Sequence, residues 1–432
     1  MDFVEVGILV FSFLFLLAVG VPIAYSIGLS SLLTMLVSIS AMPSLTTLAQ
    51  RMATALDSFA LLAIPFFVLA GQLMNKGGIA ERLIDFAKVL VGRLPGGLAF
   101  VNILACMLFG AISGSAVAAA SAIGGFMVNR MEKEGYSRPF SAAVNITSAT
   151  TGLIIPPSNI LIIYSLASGG VSIAALFVAG YLPGLVVGLS LMLVAGLWAY
   201  IKKYPVGERS GLKTAVVKFL DAIPSLLLLI VVIGGIVAGI FTATEASAIA
   251  VVYTLVLSML IYRQVKVEDL PTIILDTVKT TSIVMLLIGT SMGMSWVMSF
   301  ENIPQDVSAA LLGISDNKIV ILLIINLILL FVGVFMDMTP AVLIFTPIFL
   351  PIVTKMGMDP VHFGVVMVLN LCIGLCTPPV GSVLFVGCGI AKTSIEKVIK
   401  PLVPLFLAMI AALLIVTYFP EISLWLPKVF DL

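Results

Sequence analysis

Charge is what this 432-residue chain has least of: Asp, Glu, Lys and Arg together make up 10% of it, against 61% apolar residues. A soluble domain of this length carries about 25% charged residues, so a water-soluble globular protein is excluded. There is one histidine, His362, which reads as a solvated residue in an outward loop. The four cysteines, Cys106, Cys372, Cys376 and Cys388, sit in apolar surroundings without zinc-ligand spacing. They read as small apolar packers rather than as a metal site or a disulfide framework. No Walker A or HExxH pattern is present, so neither an ATP-driven pump nor a metalloprotease is supported. The first apolar run lacks a basic leader and starts beside Asp2 and Glu5, which marks a retained helix rather than a cleaved signal peptide. The alternating ten-residue segments of a membrane barrel are missing too. The chain is not expected to be an enzyme or to bind nucleic acid.

What is there is apolar sequence in long runs, at 4–19, 21–39, 59–75, 95–129, 139–166, 174–201, 220–240, 244–262, 279–298, 319–354, 361–391 and 401–420. Runs of 18 or more such residues mark membrane helices, so the lipid bilayer is the solvent. Two runs, 95–129 and 319–354, are too long for one crossing and too short for two with an ordinary loop. Each breaks near its middle, at "FGAISGSA" (Phe109–Ala116) and "GVFMDMTP" (Gly333–Pro340). A helical hairpin that enters and leaves on one face fits both, provided protein or water covers its tip. With both hairpins re-entrant, 18 of the 22 Lys and Arg fall on one side, and only Arg51, Lys318, Lys355 and Lys428 on the other. The first side is then cytoplasmic and both termini face outward.

The two halves repeat. "GLIIPP" (Gly152–Pro157) and "GLCTPP" (Gly374–Pro379) lie 222 residues apart, as do Gly71 and Gly293. Repeats that start on opposite sides of the membrane are inverted. Paired broken helices in such repeats put a binding site near the midplane, where free carbonyls ligate Na⁺ and helix N-termini favour an anion. Pro156, Pro157, Pro378 and Pro379 have no N–H to donate, so each pair ends one half-helix and can begin the next. The expected fold is an all-α polytopic membrane protein of two inverted-topology repeats, 1–205 and 206–432. Each holds a re-entrant hairpin (about 95–129 and 319–354) and a broken helix (about 139–166 and 361–391).

Few polar groups lie at membrane depth. Glu245 is either a functional carboxylate or a first-turn acid behind Thr242 or Thr244. Asp337 either caps the second hairpin helix or helps hold a cation. Ser113 and Ser115 offer hydroxyls at a Gly-rich tip. "IAERLIDFAKVLVGR" (Ile79–Arg93) aligns Ile79, Leu83, Phe86 and Leu90 on one face, as a helix on the cytoplasmic surface does. "EDLPTIILDTVK" (Glu268–Lys279) is its rough counterpart.

The stretches "AIPFFVLAGQLMNKGGIAERL", "FGAISGSAVA", "GLIIPPSN", "GIFTATEASA", "FMDMTPAVLIFTPIFLP" and "GLCTPPVG", in this order, resemble the large membrane subunit of tripartite ATP-independent periplasmic (TRAP) transporters, the DctM type. The resemblance implies a sodium-coupled importer of a small organic acid, such as a C4-dicarboxylate, sialic acid or a similar sugar acid. It implies a multi-pass protein of the bacterial inner membrane and an elevator mechanism. The implied partners are a small four-helix membrane subunit, expected as a separate chain, and a periplasmic substrate-binding protein. Two or more Na⁺ ions are implied, and no organic cofactor. By the same resemblance, Gly110, Ser113, Gly152, Ile155 and Pro157 hold the first sodium; Gly333, Gly374, Thr377 and Val380 hold the second. Ser115, Asn159 and Thr339 lie by the substrate. Gly110 departs from family members with Ser there, which removes a side-chain ligand but not the carbonyl. The rival expectation is a stand-alone Na⁺/carboxylate symporter of the divalent-anion type; an ion channel is more remote.

Overall fold

The computed structural model describes residues 3–205, 212–315, 317–378 and 380–432. Asp316, the second proline of the later pair, Pro379, and the linker residues 206–211, where the second repeat was expected to begin, lie outside the described residues. All regular structure among the described residues is helical. That outcome follows from the solvent: hydrocarbon offers no partner for a backbone N–H or C=O, so each segment must satisfy its own. Eight helices among the described residues are long and apolar enough to cross a membrane.

The first half runs α1 (Phe3–Ala18), α2 (Ile23–Ser38), α3 (Ala41–Leu56), α4 (Ala63–Lys76), α5 (Ile79–Val91), α6 (Gly97–Ser113), α7 (Ala116–Lys133), α8 (Arg138–Thr151), α9 (Asn159–Ala167) and α10 (Ile173–Ile201). The second runs α11 (Leu212–Val237), α12 (Ala243–Leu255), α13 (Leu270–Phe300), α14 (Ile303–Ile314), α15 (Lys318–Phe335), α16 (Met338–Lys355), α17 (Pro360–Gly374), α18 (Ser382–Ile390), α19 (Ile395–Tyr418) and α20 (Glu421–Val429). Tertiary contacts come in pairs across the halves. α4 packs on α12 and α13 on α2; α8 lies against α19 and α17 against α10; α9 meets α16 and α18 meets α7.

Three local readings differ from the sequence expectation. The stretch between the second and third apolar runs forms α3, whose mixed composition hides it from a search for apolar runs. Glu268–Lys279 is not a separate surface helix but includes the first turns of α13, which runs unbroken for 31 residues. On α5 the buried face is Ile79, Ala80, Leu83, Ile84 and Ala87, while Leu90 is exposed. α5 is turned towards α11, to which Lys218–Asp85 (2.7 Å) and Arg82–Asp221 (3.4 Å) ion pairs tie it.

The centre of the molecule is unusual for a membrane protein because it is polar. Every residue of α8 from Phe140 to Thr151 is buried, and its hydroxyls turn back onto the helix: Thr147 Oγ1 donates to the Ala143 carbonyl (2.9 Å) and Ser148 Oγ to that of Val144 (2.6 Å). Such back-bonding hides a hydroxyl from lipid without a tertiary partner. The exterior is the reverse, with Phe11, Leu193 and Phe331 more than half exposed.

Two glycine-to-glycine crossings set the spacing of the centre. A Cβ on Gly152 would lie 2.5 Å from Gly110 Cα and 2.8 Å from the Cys106 carbonyl oxygen; one on Gly374 would lie 2.6 Å from Gly333 Cα. No side chain fits at either crossing, so α6 touches the end of α8, and α15 the end of α17, backbone to backbone. Gly152→Ala and Gly374→Ala should each destabilise the protein by about 1–3 kcal/mol, the usual cost of overpacking, read as a lower thermal-unfolding midpoint in detergent. Gly125→Ala, which has open space around it, should leave that midpoint unchanged.

Candidate functional site

Both hairpins turn within two residues. α6 ends at Gly114, whose left-handed φ of 61° suits a residue without a side chain, and its N–H donates to the Gly110 carbonyl at 2.9 Å. Ser115 then turns extended and caps α7, its hydroxyl accepting from the Ala118 N–H at 3.2 Å. In the second hairpin Met336 and Asp337 make the turn. Asp337 occupies the N-cap position of α16, but its carboxylate accepts no capping hydrogen bond.

The broken helices are unwound at 152–158 and, among the described residues, at 375–378 and 380–381. In the first break the N–H groups of Leu153 and Ile154 still reach back to Thr150 and Thr151, after which Pro156 and Pro157, joined by a cis peptide, donate nothing. The carbonyls of Gly152, Ile155 and Pro157 receive no backbone hydrogen bond among the described residues; neither do those of Gly333 and Val380. Thr377 donates its hydroxyl to the Ile373 carbonyl at 2.9 Å, which leaves the oxygen's lone pairs to face elsewhere. Ser113 is buried, with its Oγ 3.5 Å from the Ser115 carbonyl. Oxygens with spare lone pairs suit a hard monovalent cation, which needs no carboxylate cage. No group of three or more His, Cys, Asp or Glu comes together among the described residues.

Both tips open onto one cavity of about 270 Å³. Ser113, Ser115 and Asn159 line it from the first half, and Asp337, Thr339 and Ser382 from the second. Asn159 packs so closely on the first tip that a Cβ on Gly114 would lie 2.7 Å from its Nδ2. Its Oδ1 is buried without a partner, so the carboxamide has an acceptor to spend on a ligand. Of the residues expected at the two sodium sites only Ser113 lines the cavity; the Ile155 side chain packs on Gly184 of α10, and Val380 is exposed. Any contribution they make is through the backbone.

The sequence reading overlooked Gln72 and Asn75 on α4 and Thr280 on α13, which also line the cavity. Their signal was available: Val68, Gly71, Gln72 and Asn75 share one face of a helix by spacing, and two carboxamides in an apolar span need a reason. Glu245 belongs elsewhere. It forms a capping box with Thr242, its carboxylate accepting from the Thr242 N–H at 2.8 Å, and does not line the cavity.

His362 is not a solvated loop residue. It lies in α17, 1% exposed, with Nε2 3.2 Å from the Thr417 carbonyl of α19. It heads a buried polar chain. Asn326 of α15 donates to Thr417 Oγ1 (3.1 Å), and Asn370 of α17 donates to Asn326 Oδ1 (2.8 Å). The first half holds a smaller version, Asn102 donating to Ser148 Oγ at 3.0 Å.

With this geometry in view, the comparisons with known proteins are decisive. The family model described as "Tripartite ATP-independent periplasmic transporter, DctM component" matches residues 10–422. The chain belongs to this family. It is 60% identical over 419 residues to the uncharacterized protein YgiK of Salmonella typhimurium, covering 97% of this chain and 96% of that protein. It is 40% identical over 403 residues to the C4-dicarboxylate TRAP transporter large permease protein DctM of Pseudomonas aeruginosa, covering 93% and 94%. Among solved structures, the YdaH transporter of Alcanivorax borkumensis superposes with a TM-score of 0.64 at 14% identity, over 89% of this chain and 88% of that one, a likeness of fold. A DctM-family protein is a transport component and not an enzyme.

The buried chain beside the second glycine crossing makes a prediction. Asn326→Leu should cost about 1–3 kcal/mol, because the buried Asn370 amide loses one of its two acceptors, Asn326 Oδ1, and keeps only the Asn326 main-chain carbonyl. Asn326→Leu with Asn370→Leu should cost less than the sum of the two single changes, since neither orphan then remains; a double-mutant cycle on unfolding midpoints reads the difference.

Proposed function

We propose that this chain is the large transmembrane subunit of a sodium-coupled TRAP transporter, which imports a small organic acid across a bacterial inner membrane. The observation that carries the reading is the matched pair of breaks. At each, a glycine crossing brings a hairpin arm to an unwound helix whose carbonyls keep spare lone pairs, and both hairpin tips share one cavity. One sodium is held by Gly110, Ser113, Gly152, Ile155 and Pro157, the other by Gly333, Gly374, Thr377 and Val380. The acid lies between them, against Ser115, Asn159 and Thr339. No Lys or Arg among the described residues lines the cavity. The field that attracts the carboxylate therefore comes from the bound ions, hydroxyls and carboxamides, and binding of the acid is coupled to binding of sodium.

The halves are inverted repeats, both termini face the periplasm, and the hairpins with the broken helices move as one body against the remaining helices. The paired packing of α4 with α12 and α13 with α2 supports the first of these. A small four-helix subunit braces the complex, and a periplasmic binding protein delivers the acid to an outer face that carries Asp57, Glu301, Asp306 and Asp359. The acid is of the C4-dicarboxylate, sialic acid or sugar-acid class.

In proteoliposomes the complex with its binding protein should accumulate the acid under an inward Na⁺ gradient and not under an inward H⁺ gradient alone. Equal uptake in sodium-free buffer refutes the sodium assignment, and equal uptake without the binding protein favours a stand-alone symporter. Ser113→Ala and Thr377→Val each remove one oxygen from an ion, at a cost of about 1–3 kcal/mol. That corresponds to a sodium requirement raised about 5- to 150-fold, at normal expression. Wild-type sodium curves in both variants would remove these two residues from the sites.

A further inference from the structure

A second cavity, of about 330 Å³, lies between α3, the end of α9 and the later half of α13. Two helical stripes face each other across it. Arg51, Thr54 and Ala55 on α3, with Ser58 just beyond, are spaced one and two turns apart, as are Met292, Ser295, Trp296 and Ser299 on α13. Residues three, four and seven apart share a helix face, so each helix turns one whole stripe to the space.

The polar groups in those stripes are unspent. Arg51 has no carboxylate within ion-pair distance among the described residues; its guanidinium carbon lies 5.8 Å from the centre of the Trp296 ring. The nearby acid Glu301 is turned to α2, where it accepts from Ser38 Oγ at 3.0 Å. The hydroxyls of Thr54, Ser58, Ser295 and Ser299 make no hydrogen bond among the described residues. One turn away from this stripe, Thr290 spends its own on the Leu286 carbonyl (2.9 Å). A guanidinium with its donor edge free, several hydroxyl donors and no acidic group make a site for a carboxylate. The indole face suits the carbon body of a small acid. Few basic residues fall on the outward side, and Arg51 is one of them.

We propose that Arg51, with the hydroxyls of Thr54, Ser58, Ser295 and Ser299, forms a carboxylate-binding site at the outward mouth, where the incoming acid is held before it reaches the cavity at the hairpin tips. The role in transit rests on the transport reading above; the binding itself does not. The division of labour is chemical. A permanent cation captures the acid, and the inner cavity, which has none, lets go of it once the sodium ions leave.

The test uses the full chain in phosphatidylcholine nanodiscs with 5-fluorotryptophan at its three tryptophans, the Trp296 resonance being assigned by its loss in Trp296→Phe. Sodium gluconate and sodium succinate, titrated against sodium chloride at constant ionic strength, should shift the Trp296 resonance saturably and leave the other two in place. Arg51→Gln should weaken that response about tenfold or more, the scale of one lost charge-assisted contact, while Arg51→Lys retains most of it. Ser295→Ala with Ser299→Ala should weaken it without touching the stacked arginine. This pair carries the test if Arg51→Gln disturbs the other two resonances. No saturable shift with either acid overturns the proposal, as does an undiminished response in both variants. A shift produced by phosphatidylglycerol nanodiscs that neither acid competes away also overturns it, and gives the site to a lipid phosphate. The measurement needs no gradient and no binding protein, so failure of sodium-driven uptake would leave its outcome standing.

Discussion

The structure depends on bringing backbone to backbone at two places inside a medium that cannot hydrogen-bond. A helix broken in hydrocarbon leaves carbonyls and N–H groups that water would normally satisfy, at several kilocalories each. The break at 152–158 is possible because protein covers it, and the second is covered through Cys376 and open at Pro378 and Val380. The walls can approach because Gly110 meets Gly152 and Gly333 meets Gly374 with no side chain between them. The same contact that hides the break also limits what reaches its free carbonyls, which is what the proposed sodium sites require. Stability and site are one arrangement.

A second theme is where hydroxyls and carboxamides spend their hydrogen bonds. Along α8 the Ser and Thr side chains bond back to their own helix, which lets a polar helix sit fully buried beside α19. Around Asn326, Asn370 and Thr417 they bond between helices and lock α15, α17 and α19 in register at the second crossing. At Asn159 and around Arg51 they remain unspent. In a membrane interior an unspent polar group is costly, so the buried Asn159 acceptor is the one for which the proposed ligand supplies a missing partner, while the Arg51 cluster is open at its mouth.

The two halves pair their helix contacts alike and differ in detail. Asn102 and Ser148 make a single bond where the second half builds a chain of four residues ending at His362. Gly71 packs on the first hairpin tip, where a Cβ would lie 2.9 Å from the Ser113 carbonyl, whereas Gly293 packs on Leu48 of α3. Equivalent glycines thus serve one close approach to a tip and one to an outer helix. A spacing of 222 residues cannot tell these apart.

Composition by itself determined that the chain lies in a membrane and is helical, because apolar runs have one stable answer in hydrocarbon. Spacing determined that two helices break alike, because Pro and Gly act locally through a missing N–H and a missing Cβ. Both properties belong to the residue and need no neighbour. The tertiary structure alone decided what depends on neighbours: that Ser113, Ser115, Asn159 and Thr339 share one cavity with the overlooked Gln72, Asn75 and Thr280; that His362 is buried and not solvated; and that Arg51 faces Trp296 from a helix 245 residues earlier in the chain. Which groups converge on a space is set by the packing of helices distant in sequence, and no local pattern encodes it.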